Sequence, residues 1–148
     1  MNKLIIDKNY ISILTYFGVI PFFFLYILIA SNHDDISYNI LYGLKAYGLV
    51  ILSFLSGVYW GQYLSLKGNI SVFLALVSNC IALLSWFSYL FLTDKYFILF
   101  LILSFSSLIL IERYIFVSKV ISKDYFLLRF RVTMIVILIL TLLLVRLW

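Results

Sequence analysis

Five long runs of apolar residues divide the chain, separated by brief polar stretches. They cover about residues 11–30, 44–66, 70–92, 96–117 and 127–147. Each run is close to the roughly 20 residues that carry an α-helix across about 30 Å of hydrocarbon. Lipid offers the backbone no hydrogen-bond partner, so a spanning segment satisfies its own peptide groups as a helix or within a closed barrel. The runs are apolar all round and lack the alternation of barrel strands. The pattern therefore predicts an all-α, polytopic membrane bundle of five transmembrane helices, folded as a single domain over residues 1–148.

The fourth run is the shortest between charges, from Lys95 to Glu112. It is expected to continue as helix through Tyr114 to Val117, which places Glu112 and Arg113 inside the helix near its end. Lys67-Gly68-Asn69 and Thr93-Asp94-Lys95 read as tight turns, and Asn32 to Tyr42 as the longest loop on its side. Lys3 and Lys8 precede a first run too long for a signal-peptide core. A retained first helix is expected rather than cleavage after Ala30 or Ser31.

Composition agrees with the pattern. Apolar types make up 66% of the 148 residues and charged residues 11%, against about a quarter charged in a soluble domain. That excludes a disordered chain, an ordinary water-soluble enzyme and a nucleic-acid-binding domain. The formal net charge is +5. With the basic residues flanking apolar runs, this charge points to membrane orientation and anionic lipid head groups rather than to nucleic acid. Lys3, Lys8, Lys67, Arg113, Lys119, Lys123, Arg129 and Arg131 fall on one side, and Lys45, Lys95 and Arg146 on the other. The imbalance predicts a multi-pass protein with its N-terminus inside, in the cytoplasm or in the matrix if the membrane is mitochondrial, and its C-terminus outside. Tyr10, Trp60 and Tyr63 then lie near the inner surface, and Trp86, Tyr89 and Trp148 near the outer.

Few residues carry chemistry. There is no phosphate loop, nucleophile elbow or pair of metal-binding carboxylates, so no catalytic residue, metal or cofactor is nominated. His33 with Asp34 and Asp35 forms a polar loop, at most a weak cation site, and Cys80 reads as a small core residue. Ser53, Gly57 and Gly61 recur every four residues on the second helix, a spacing that lets another backbone approach closely in lipid. Helix packing within the molecule is the plain reading; a dimer contact or a narrow ligand groove is the sharper one. Tyr59, Trp60, Gln62 and Tyr63 form either an interfacial belt or a polar and aromatic pocket at the inner face. Pro21 is the only proline and is expected to kink the first helix, one turn after Gly18.

Glu112, Arg113, Arg129 and Arg131 are the ionisable residues nearest the membrane, at facing ends of the fourth and fifth helices. A charge at that depth requires a partner, so a Glu112–Arg129 pair is expected. Two roles are open for the cluster: a helix clamp with inside-positive anchoring, or a site for an anionic head group, a phosphate or a proton.

The stretch Tyr47-Gly48, then Ile51-Leu52-Ser53-Phe54-Leu55-Ser56-Gly57-Val58-Tyr59-Trp60-Gly61, resembles the signature of an uncharacterised inner-membrane family. That family is found in proteobacteria and in mitochondria, where its member is called transmembrane protein sixty-nine. Gly18-Val19-Ile20-Pro21-Phe22 is similar to the family's G-x-x-P-F element, and Tyr125, Leu128-Arg129 and Thr133 to its Y-x-x-LR-x-x-x-T element. Ser56 stands where the family has the first glycine of a pair, Glu112 where it usually has Asp, and Lys123-Asp124 where a Pro-Trp often precedes the tyrosine. The resemblance implies a small multi-helix inner-membrane protein and brings no activity with it.

Two readings of function follow. The first is a non-catalytic accessory or assembly component that packs against itself or a larger membrane complex. The alternative is a binder or transporter of a small amphipathic molecule such as a lipid or quinone, with Tyr59, Trp60, Gln62, Glu112, Arg129 and Arg131 at its inner mouth. A membrane enzyme acting on lipid head groups is least favoured, since only Glu112 is placed for acid–base work.

Overall fold

The computed structural model describes residues 2–31, 38–66 and 68–148, with the side chains of residues 2–9 and 65 left out. Expectations for the side chains of Lys3 and Lys8, and for His33, Asp34, Asp35 and Lys67, lie outside the described residues. The described chain is helical: α1 (Asn2–Phe17), α2 (Ile20–Ser31), α3 (Tyr38–Ser65), α4 (Asn69–Phe91), α5 (Asp94–Val117) and α6 (Lys123–Leu147). Five helical stretches are long and apolar enough to cross a membrane, the first running from Tyr10 to Ser31 across α1 and α2.

Pro21 does more than kink that first span. Its ring has no N–H and crowds the carbonyl of Phe17, so the helix stops at Phe17 and restarts at Ile20. Residues 18 and 19 form a turn held by Val19 N–H donating to Tyr16 O at 2.9 Å. The broken ladder leaves the Gly18 carbonyl facing α3, where Tyr47 Oη donates to it at 2.9 Å. The Phe22 ring packs edge-on against Tyr47 with centroids 5.0 Å apart. Tyr47→Phe strips that carbonyl of its donor in an apolar setting. A loss of about 1–2 kcal/mol in reversible detergent unfolding is expected, with the helical far-ultraviolet spectrum retained.

Other boundaries have local causes. Gly68, at φ +86°, turns the chain into α4, a backbone geometry that a side chain disfavours. The end of α5 is a Schellman motif in which Val120 N–H reaches Ile115 O and Lys119 N–H reaches Phe116 O. Lys119 occupies its left-handed position at φ 59°. Ser122 then caps α6, its Oγ accepting from Tyr125 N–H at 3.3 Å. At the far end of the bundle Arg146 Nη1 donates to the Ala30 carbonyl at 2.9 Å, tying α6 to the last turn of α2.

Helix α3 lies centrally, against α2, α4 and α5, while α6 packs on α5 and also touches α1 and α2. Each long helix buries a stripe of about 3.5-residue period. On α5 it is Phe97, Ile98, Leu101, Phe105, Leu108, Glu112 and Ile115. On α4 it is Ser71, Leu74, Ser78 and Ser85. The serines act across the interface: Ser78 Oγ donates to Ser56 O at 2.6 Å, and Ser71 Oγ to Tyr63 O at 3.1 Å. Small hydroxyl residues thus bring α3 and α4 together, as is common between helices in lipid. The outward faces are apolar, with Leu76, Leu83, Phe87 and Leu138 among many exposed large side chains. Cys80 is among the outward residues, not the core.

Candidate functional site

The turn 118–122 sets α5 and α6 side by side and brings Glu112 opposite Arg129. Arg129 Nε and Nη2 both reach Glu112 Oε1 at 2.8 Å. The side chains are 5% (Glu112) and 11% (Arg129) exposed, so the pair is desolvated and depends on its own geometry. Tyr59 of α3 and Tyr125 of α6 lie within electrostatic reach of both charges. Tyr59 Oη sits 3.5 Å from Leu108 O, a long contact at the edge of hydrogen bonding.

Beside this pair runs a partly enclosed groove of about 250 Å³. Ile11, Leu14 and Thr15 of α1 and Gly18 and Val19 of the break form one wall. Ile51, Phe54 and Leu55 of α3 and Phe105 of α5 form the floor and the facing side. Along α6 the lining is Arg129, Val132, Thr133 and Val136. The walls are almost wholly apolar, with Arg129 at one end. Such a slot can hold one flexible apolar chain and meet a polar atom at its charged end.

A family model described as "Protein of unknown function (DUF3429)" matches residues 8–145. The chain belongs to the DUF3429 family. No curated protein and no solved structure matches the chain.

In this DUF3429 chain the residues that carried the sequence resemblance meet in space. Tyr47 holds the carbonyl of Gly18, Phe22 lies between Tyr47 and Phe105, and Glu112 grips Arg129. Gly18, Arg129 and Thr133 all line the groove.

Other residues singled out in the sequence do not join the site. Ser53, Gly57 and Gly61 are exposed. Nothing lies within 4 Å of where a Cβ on Gly57 or Gly61 would stand, so this stripe is not a packing face inside the molecule. The packed stripe of α3 passes instead through Leu52, Leu55, Ser56 and Tyr59. The quartet on the last turns of α3 splits as well. Tyr59 turns into the bundle, Trp60 is exposed, and Gln62 and Tyr63 are half-buried. Trp60 and Tyr63 pack on each other with ring centroids 5.2 Å apart. Arg113 and Arg131 are exposed one and two positions from the paired charges, because adjacent helical positions point in different directions.

A second ion pair of the family member escaped the sequence reading. Lys45 Nζ lies 2.7 Å from Asp94 Oδ1, joining α3 to the first turn of α5. Lys45 is buried, its ammonium 5.5 Å from the Tyr89 ring centroid and 5.4 Å from that of Phe97. Aromatic faces and a carboxylate at a helix N-terminus together offset its desolvation. The available signal was a lysine inside an apolar run, whose charge needs a partner at that depth.

Proposed function

We propose that this DUF3429 protein binds a small amphipathic molecule in the membrane, such as a lipid or quinone, seating its apolar chain between the first span, α3 and α6. The groove carries this reading. It is apolar, partly enclosed and ends at Arg129. Of the residues expected at an inner mouth, Arg129 alone lines it, with Glu112 and Tyr59 behind. The test is native mass spectrometry of protein released from mild detergent. Wild type should retain a bound small molecule. Val136→Trp, which fills the slot from α6, should lose it while unfolding at a similar temperature. Equal retention by both, or none by wild type, sinks the reading.

A second reading is favoured by a separate observation. The stripe Ser53, Gly57 and Gly61 faces outward between exposed Val50, Phe54, Trp60 and Leu64. A smooth small-residue face on the lipid side supports a non-catalytic accessory role, in contact with another copy or a larger complex. Single cysteines at these three positions, introduced into a Cys80→Ser background, should crosslink to a partner in native membranes. Monomer-only products would remove this reading.

The basic imbalance supports a cytoplasmic N-terminus and a C-terminus across the membrane, and the sequence resemblance supports an inner (cytoplasmic) membrane. Exposed Arg113 would then lie near anionic head groups, while Arg131, two residues deeper on α6 than Arg129, would reach them only by extending its side chain toward the surface.

A further inference from the structure

The groove has a polar end with unused donors, and they specify what it holds. Thr133 is only 4% exposed and lines the slot. Among the described residues its hydroxyl makes no hydrogen bond. Other hydroxyls on these helices bond the carbonyl four residues back: Thr15 to Ile11, Ser85 to Ile81, Ser106 to Ile102 and Thr141 to Ile137. Thr133 lies one turn beyond Arg129 on the same face of α6. Glu112 engages Nε and Nη2 of Arg129, and Nη1 is left over. Thr133 and Arg129, each carrying a donor that no described residue engages, thus border one apolar slot.

Two arguments define the acceptor. The first is charge. Arg129 is already neutralised by Glu112, so an anionic head would bring a second negative charge toward a buried carboxylate, whereas a neutral carbonyl takes the same hydrogen bonds without it. The second is depth. Arg129 is six residues into α6, roughly 9 Å along its axis, and a helix of this length overhangs the hydrocarbon by only about 4 Å at each end. A phospholipid whose ester carbonyl reached Arg129 would drag its phosphate into hydrocarbon. A quinone has no charged group and can descend that far. Building on the groove reading above, we infer that the ligand is a tailed quinone, one ring carbonyl accepting from Thr133 Oγ1 and Arg129 Nη1 and the tail lying toward Val136.

The test is titration of purified protein in detergent with decylubiquinone, methyl laurate and laurate, followed by thermal shift and calorimetry. Decylubiquinone should bind saturably, with laurate at least about 10-fold weaker. Thr133→Val keeps the shape, removes the hydroxyl and should weaken decylubiquinone about 10-fold, while Thr133→Ser keeps most of the affinity. Unliganded melting temperatures establish that both variants fold. Laurate binding as tightly as decylubiquinone, or Thr133→Val matching wild type, overturns the inference but leaves an amphiphile groove standing. Methyl laurate binding in preference to the quinone overturns the quinone assignment. Saturable binding by none of the three overturns the groove reading along with it.

Discussion

Arg129→Ala should cost this protein about 3–5 kcal/mol of stability, the penalty for leaving one member of a buried ion pair without the other. The remaining Glu112 is 5% exposed and has α5, α3 and α6 around it in place of water. Glu112→Ala should cost a similar amount, because it strands a guanidinium whose Nε donates to the lost oxygen and whose Nη2 lies 2.8 Å from it. The double variant removes both charges together, so its loss should fall well below the sum of the single losses, by about 1–3 kcal/mol of coupling. Reversible unfolding in mixed micelles measures all three. Strictly additive losses would mean that the two side chains do not depend on each other. The outward arginines supply the control. Arg113→Ala and Arg131→Ala touch no buried partner and should change stability by no more than about 0.5 kcal/mol.

Why the Glu112–Arg129 contact was legible in the sequence, and the groove beside it was not, follows from the solvent. In hydrocarbon a charge is costly, so a charged residue within an apolar run announces that a partner exists. The two positions lie 17 residues apart across one turn, which restricts the choice of partner. Lys45 and Asp94 obey the same rule, but 49 residues separate them, and Asp94 reads from sequence as part of a surface turn. Apolar residues carry no such signal. Lipid is as apolar as the bundle interior, so leucine and phenylalanine do not say which face of a helix is inward. The existence of five spans was therefore readable from run length, while the face that each span turns inward was not. Small residues then mislead. The Ser53, Gly57 and Gly61 spacing has the form of a packing face, yet the face that packs is the neighbouring one through Ser56, matched by Ser71, Ser78 and Ser85 on α4. Those three serines are seven residues apart, and that heptad spacing was the usable signal. Helix ends moved for a related reason. Helix α3 begins at Tyr38 and α6 at Lys123, because polar and aromatic turns remain helical as they leave the hydrocarbon.

Gly48 and Gly57 separate close packing from mere small size. They lie on the same helix, and a side chain on each meets opposite surroundings. A Cβ on Gly48 would stand 2.6 Å from Leu101 Cδ1, and Leu101 is fully buried, so it has little room to withdraw. Gly48→Val should therefore overpack the α3–α5 contact and cost about 3 kcal/mol, at the upper end for inserted core volume. Gly57→Val adds its side chain where nothing lies within 4 Å. Its effect on the monomer is the difference between two helix propensities, a gain of at most about 0.5 kcal/mol. Reversible unfolding of the two variants in detergent should differ by about 3 kcal/mol, read as a shift in midpoint at an unchanged denaturant slope. A Gly48→Val protein as stable as wild type would mean that α3 and α5 do not approach as closely as the structure places them. A Gly57→Val protein that is stable alone but lost from a larger assembly in native membranes would locate the outward stripe at a partner's surface, since inside the molecule that substitution has nothing to strike.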